Sequence, residues 1–391
     1  MSSVSVVIPS YNAARFIGAA INSILTQSHP PLEVIVVDDG STDATPEILA
    51  TLKSSRSIQV IRQQNQGPAA ARNAGIAAAT GELIALMDAD DIALPQRLAI
   101  QSAALSSEPD LAVVSGGYEW IDEMGQPLSW PYHSWRHYPD LNDLRTWLLD
   151  CPIVPSATML RRAAWSEVGG FNERLIGPED WDFWMRLVLA GRRMAWQRRV
   201  VCLYRRRADS LSQDARRMSS DTTEVLRRIL ERPDFPSELR ADGQRALALR
   251  HIDGAKRLYA AGLWDEGKTA LKQAVSLDPR LVEGQPSRVE DELVAASLDP
   301  LVPDSIIFLR TALQHLPDNA LPVQNRMKQL LARTCLELLV RGVSEGKYRL
   351  ALKYCVPTIV RHPDWFANRY MWAILLRAFS NRRKRLKASI G

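Results

Sequence analysis

Three carboxylates fall within four residues at Asp88-Ala89-Asp90-Asp91, directly after the apolar run Leu83-Ile84-Ala85-Leu86. Carboxylates so close repel and raise one another's pKa, and a divalent cation is their simplest neutraliser. Hard cations such as Mg²⁺ and Mn²⁺ prefer oxygen ligands, and Mg²⁺ typically takes one or two carboxylates and leaves its other positions to water and substrate phosphates. A solvated loop whose aspartates cap the next helix is the competing reading, and it is the better one for an isolated Asp-x-Asp. Two further polar clusters argue against isolation. Pro9-Ser10-Tyr11-Asn12 and Asp38-Asp39-Gly40-Ser41-Thr42-Asp43 each follow an apolar run in the same way.

Those clusters need elements that bring them together. Val4-Ser5-Val6-Val7-Ile8 and Glu33-Val34-Ile35-Val36-Val37 are nearly continuous in β-branched residues, as expected for strands of a parallel sheet covered on both faces. Amphipathic segments from Phe16 to Gln27, Pro46 to Lys53 and Pro68 to Ala79 separate the runs. The order βαβαβαβ predicts an α/β chain with a doubly wound, mostly parallel sheet. Ligands of such sheets bind outside the carboxyl ends of the strands, at a topological switch point. All three clusters lie at those ends.

The ordered set Ser5-Val6-Val7-Ile8-Pro9-Ser10-Tyr11-Asn12, Val37-Asp38-Asp39-Gly40-Ser41-Thr42-Asp43, Asn65-Gln66-Gly67 with Ala70-Ala71-Arg72-Asn73, Gly81-Glu82, and Asp88-Ala89-Asp90-Asp91 resembles the signature of family 2 glycosyltransferases of the bacterial type, which have the GT-A fold. Val168-Gly169-Gly170-Phe171-Asn172-Glu173, followed by Glu179-Asp180-Trp181-Asp182, resembles the acceptor-side motif of the same family. The likeness spans roughly residues 1–215, read as the catalytic domain.

It implies a metal-dependent, inverting transfer of sugar from a nucleoside-diphosphate sugar to an acceptor hydroxyl on a glycan, glycolipid or protein glycan, with Mn²⁺ or Mg²⁺ as cofactor. By resemblance Asp90 holds the metal. Asp88 faces the ribose and shares the metal's field, and Asp91 stands behind them or caps a helix. Pro9, Tyr11 and Asn12 line the nucleoside, with the Tyr11 ring free to stack. Asp39 accepts from the N3–H of a uracil or thymine, which favours UDP- or dTDP-sugars. Arg72, near the start of a helix opened by Gly67-Pro68, offers a bidentate fork to phosphate. Asp180 is the general base, with Glu179 positioning, and the pair can also cap the helix Trp181 to Ala190. Trp181, with Trp184, offers the acceptor an apolar platform. One departure stands out: Tyr204-Arg205-Arg206-Arg207 lies where many members carry Tyr-Arg-x-His, so Arg207 replaces a histidine. Arginine does not ligate metals but can neutralise a diphosphate, and this segment reads as a lid.

The 391 residues allow two or three domains. Hydrophobic content of 46%, charged content of 24% and a formal charge of +5 describe an ordinary globular chain with a mild taste for anionic partners. No recognisable nucleic-acid module accompanies that charge. Cys151, Cys202, Cys335 and Cys355 form no C-x-x-C pair, so zinc and redox motifs are absent and four reduced thiols are expected. No signal peptide or apolar run of membrane-spanning length is recognised. A protein of the cytoplasm, or one peripheral at the inner face of the cytoplasmic membrane, is expected.

Beyond a helical linker at 216–245, strand-like runs give way to helical periodicity in 246–391. Ala255 to Pro279 and Leu339 to Pro363 resemble degenerate tetratricopeptide helix pairs; an ordinary bundle is the equal alternative, because the two lie 84 residues apart and the repeat period is 34. Leu281 to Ser305 reads as a loop. The tail from Arg369 carries seven Lys or Arg and no acid, suited to an anionic membrane surface or to docking on the bundle. Two other functions compete with transfer: a sugar-nucleotide pyrophosphorylase, which would want a Gly-rich loop with Arg and Lys after the first strand, and a non-enzymatic scaffold acting through helical repeats.

Overall fold

The computed structural model describes residues 2–52, 58–128, 137–207, 210–299, 302–344 and 353–354. The chain divides into two compact units, Met1–Ala246 and Leu247–Gly391.

In the first unit the elements run β1 (Val4–Ser10), α1 (Ile17–Leu25), β2 (Glu33–Asp38), α2 (Thr45–Leu52), β3 (Ile58–Arg62), α3 (Pro68–Ala78), β4 (Leu83–Leu86), β5 (Ile92–Ala93), α4 (Arg97–Ser107), β6 (Leu111–Ile121), α5 (Leu144–Leu149), β7 (Thr158–Arg161), α6 (Arg162–Glu167), α7 (Glu179–Leu189), β8 (Arg193–Arg205) and α8 (Ala215–Leu230). One eight-stranded sheet has the order β3-β2-β1-β4-β7-β6-β8-β5. The first four strands are parallel, as the β-branched runs imply; β7 then runs antiparallel to both β4 and β6. The sheet is therefore mixed rather than uniformly wound. Val6, Ile8, Val34, Val36, Leu83 and Ala85 pack with Ile17, Ile21 and Ile24 of α1 into one core.

Two features position the polar clusters. Successive connections leave β1 toward β2 on one side and reach β4 on the other, so the carboxyl ends of β1 and β4 open a crevice of the expected kind. Directly after Asp91, the two-residue β5 pairs with β8 (Ile92 with Leu203, Ala93 with Cys202), which sets the acidic loop beside the Tyr204–Arg207 segment. Helix α3 begins where Gly67 (φ 91°) and Pro68 predict. It presses on β1 so closely that a Cβ on Gly75 would sit 2.4 Å from Val7 Cγ1.

The segment read as a linker is helical and lies within the first unit: α8 opens on Asp214, whose carboxylate accepts from Arg217 N at 3.0 Å. Onward run α9 (Arg240–Ala260), α10 (Trp264–Leu277), α11 (Arg288–Ser297), α12 (Ser305–Gln314), α13 (Leu321–Gln324) and α14 (Met327–Ser344). The second unit buries Tyr259, Leu271, Leu309 and Leu313 in its own core. Ala255 to Pro279 spans the end of α9 and the whole of α10, with a turn at Gly262 (φ 75°) between them. The loop expected from Leu281 to Ser305 is corrected: it contains α11. Ser287 and Glu290 form a reciprocal capping box, which satisfies two otherwise orphaned N–H groups, and Val289, Leu293 and Val294 supply a buried face. The second repeat-like piece beyond Ser344, apart from 353–354, lies outside the described residues, as do Cys355 and the basic tail. Among the described residues, Cys151, Cys202 and Cys335 form no disulfide. Among the described residues, no helix is long and apolar enough to cross a membrane.

Candidate active site

A cleft of about 680 Å³ opens at the carboxyl ends of β1 and β4. Its walls include Pro9, Tyr11, Asn12, Asp39, Arg72, Asp88, Asp90, Glu179 and Arg207; of the other residues expected at the site, Asp91, Asp180, Trp181 and Trp184 do not line it.

At one end Tyr11 is 49% exposed, an unusual state for an aromatic that leaves a ring face for a ligand. Asn12 is a brace. It adopts φ 48°, and its Oδ1 accepts from the backbone N–H of Thr42 at 2.8 Å and of Asp43 at 3.3 Å, tying the ends of β1 and β2 together. Asp39 is buried and holds the loop before α3: Oδ1 accepts from Gln63 Nε2 (2.8 Å) and Gln66 N (3.0 Å), and Oδ2 from Gly67 N (2.8 Å). A carboxylate has about four lone-pair sites, so one on Oδ2 is left over.

The acidic loop is held from several sides. Asp88 N donates to Ser156 Oγ at 2.9 Å. Asp90 Oδ2 accepts from Arg207 Nη1 at 3.0 Å. Burial first, then the neighbouring charge of Asp88, pushes the Asp90 carboxyl above its ordinary range, and Arg207 opposes the shift. Asp91 is not a helix cap, since α4 starts only at Arg97. It is buried, and its Oδ1 accepts from Arg205 N at 2.7 Å, stitching the loop to β8. Burial and the charges of Asp90 and Asp88 push it well up. Arg205 reinforces the stitch by donating from Nε to Asp90 O (2.7 Å) and from Nη1 to Asp122 O (2.7 Å).

Sequence reasoning missed Arg97. It is wholly buried beneath the loop, donating to Leu86 O at 2.6 Å, Thr158 O at 3.1 Å and Gln101 Oε1 at 3.2 Å, and burial pushes it down to about 10. The signal was available: an arginine on the buried face of α4, shared with Leu98, Gln101 and Leu105, a few residues after an acidic cluster.

Arg72 links the two halves of the site. Its Nη2 donates to Asp88 Oδ1 at 2.7 Å and its Nη1 to Glu179 Oε1. The fork expected on phosphate is spent on these carboxylates, and the side chain is buried. The adjacent Asn73 fixes the acceptor-side loop, donating to Phe171 O at 2.9 Å and accepting from Phe171 N at 2.8 Å.

Glu179 Oε2 accepts from Gly177 N at 2.8 Å, so Glu179 is held at both oxygens. Helix α7 begins at Glu179 after Pro178, which places Asp180 in the first turn rather than at the cap; acids there gain from the helix dipole. Asp180 stands beside the cleft lining, with Oδ1 accepting from Trp181 N at 2.7 Å. Burial, then the adjacent charge of Glu179, pushes it up to about 7. Trp181 is no acceptor platform: it is 3% exposed, and its Nε1 donates to Trp147 O at 2.8 Å. Trp184 is fully buried too. Helix α7 is covered nearly all round, so its tryptophans went to the core.

Among the described residues, no group of three or more His, Cys, Asp or Glu is arranged to hold a metal ion. Asp88 and Asp90 on one cleft wall fit a different kind of site, in which water and a substrate's phosphates supply the remaining ligands.

Residues 5–169 match the model of glycosyl transferase family 2. The putative teichuronic acid biosynthesis glycosyltransferase TuaG of Bacillus subtilis is 31% identical over 228 residues, which cover 58% of this chain and 88% of that protein. The chain also matches several uncharacterized glycosyltransferases, over about 30% of their length. In fold it is similar to S. aureus TarS 1-349 in complex with UDP-GlcNAc (TM-score 0.57, 21% identity, 84% of this chain and 92% of that one). It is likewise similar to mannosyltransferase PcManGT from Pyrobaculum calidifontis in complex with GDP-Man and Mn²⁺ (TM-score 0.52, 19% identity, 86% of each chain).

Proposed function

The chain belongs to glycosyltransferase family 2, and from that premise we propose that it transfers a sugar, with inversion and with the help of a divalent metal, from a nucleoside-diphosphate sugar to an acceptor hydroxyl. The observation that carries this reading is the Asp88–Arg72–Glu179 link, which joins the donor-side acids to the acceptor-side helix within one cleft. Family membership removes the pyrophosphorylase alternative.

Tyr11 stacks on the base, and the spare lone pair of Asp39 Oδ2 receives a ring N–H. A pyrimidine offers that N–H at N3, so UDP- and dTDP-sugars are favoured; the UDP-GlcNAc of TarS agrees, while the GDP-Man of the mannosyltransferase shows that the fold also serves guanine. Asp90 and Asp88 would hold Mn²⁺ or Mg²⁺, which when bound supplies Lewis acidity to the departing diphosphate. Arg207 and Arg217, both on the cleft wall, add positive charge where the phosphates gain negative charge. Asp180 takes the proton of the acceptor hydroxyl, and its value of about 7 is near the optimum for a base at neutral pH. Glu179, fixed by Arg72, sets the first turn of α7 so that Asp180 faces the attacking oxygen. The acceptor is a glycan or lipid-linked glycan of a cell-surface polysaccharide, in keeping with the teichuronic acid role in the name of TuaG. The protein works in the cytoplasm or at the inner face of the membrane. All of the proposed machinery lies in Met1–Ala246.

Inversion is directly measurable. The product's anomeric configuration, read by NMR coupling constants, is expected to be opposite to the donor's, because displacement by a hydroxyl activated on the far face inverts C1. A retained configuration would overturn the single displacement.

A further inference from the structure

Four acids line the cleft, Asp39, Asp88, Asp90 and Glu179, against three arginines, Arg72, Arg207 and Arg217. A bare divalent cation therefore meets a nearly neutral site, although three carboxylates within four residues suggest a strong trap. The arginines have separate tasks. Arg72 is buried and divided between Asp88 and Glu179. Arg207 instead pairs with Asp90, Nη1 to Oδ2 at 3.0 Å, with both side chains mostly withdrawn from solvent, and its guanidinium carbon lies 5.3 Å from the centre of the Phe16 ring. It thus occupies an oxygen of the very carboxylate assigned to the metal.

We propose that Arg207 is the resident counter-ion of Asp90, which a divalent cation must displace, so that the ion enters this cleft efficiently only together with the nucleotide. The inference rests on Asp90 being a metal ligand. The physical basis is competition for Asp90 Oδ2. An opposite charge within about 4–6 Å stabilises a carboxylate's ionised form by 1–3 pKa units, and a metal loses that same stabilisation when it expels the arginine. A diphosphate reverses the balance. It brings ligands for the ion and, in the same cleft, negative charge for the released guanidinium. A histidine at this position would add a ligand, whereas Arg207 makes metal binding conditional on substrate.

The test is Mn²⁺ titration of the whole protein, followed by loss of the free-ion EPR signal, with and without UDP, the UDP arm being corrected by the same titration of UDP alone because its diphosphate binds Mn²⁺ by itself. Wild type is expected to bind Mn²⁺ weakly alone and more tightly with UDP. Arg207→Gln should bind Mn²⁺ alone about tenfold more tightly than wild type, the equivalent of one pKa unit of lost competition. Arg207→Lys keeps the charge and should stay near wild type; a merely structural role for Arg207 would move both variants alike. The proposal is overturned if Arg207→Gln gains no affinity for Mn²⁺ alone, or if wild type binds Mn²⁺ as tightly without UDP as with it. Absence of Mn²⁺ binding in all three proteins even with UDP would instead overturn the metal assignment of Asp90, and this proposal with it.

Discussion

Asp180→Asn is expected to leave the donor's Kd nearly unchanged while transfer to the acceptor falls by roughly 10² to 10⁴, the usual contribution of a general base. The substitution preserves the shape of the side chain and an oxygen that can accept from Trp181 N. The pH profile gives an independent reading. A base must be deprotonated to act, so kcat/KM of the wild type should rise with pH through about 7 and then level off, and that limb should vanish in the variant. Stability runs in the opposite sense. Asp180 has a folded value above the unfolded value of about 3.9, so its ionisation costs stability as pH rises from about 4 to about 7. Asp180→Asn should therefore be no less stable than wild type at pH 8 by thermal denaturation. Inactivity accompanied by unfolding would return Asp180 to a structural role.

Arg72→Met is expected to cost about 3–5 kcal/mol, the range for removing one partner of a buried ion pair. The loss follows from what is left behind: Glu179 is 2% exposed and Asp88 is partly buried, and both would face one another's field without the guanidinium between them. Urea denaturation measures this. The deficit should shrink at low pH, where protonation relieves the stranded carboxylates. A loss of about 1 kcal/mol or less, the range of exposed pairs, would show that the link is peripheral and that α7 is positioned by other contacts.

Much of this was legible in the sequence, and for identifiable reasons. β1, β2 and β4 were readable because strands buried on both faces admit little but β-branched and small apolar residues, and the cleft followed because polar clusters past such strands have only one end of the sheet to occupy. The antiparallel half was not readable. β7 is four residues long and β5 only two, and their pairing is decided by partners more than 40 residues away. Side-chain roles were the least accessible. Arg72 and Trp181 have the residue types of ligand contacts, yet Arg72 spans two carboxylates and Trp181 bonds to Trp147 O; only the depth of α3 and α7 in the fold decides between these uses. Helix α11 is masked by its surroundings: Leu281 to Ser305 is rich in Pro, Asp and Glu, which reads as loop, although Ser287 and Glu290 stand at capping-box spacing.

Release of nucleoside diphosphate from a panel of sugar nucleotides tests the central claim most directly, because metal-assisted cleavage of the donor needs no knowledge of the acceptor. Wild type and Asp90→Ala are compared in Mn²⁺, in Mg²⁺ and in excess chelator. At least one donor should be cleaved by the wild type with a metal ion present, with release abolished by chelator and by Asp90→Ala. Release that persists undiminished in excess chelator, or at the wild-type rate in Asp90→Ala, would contradict the account.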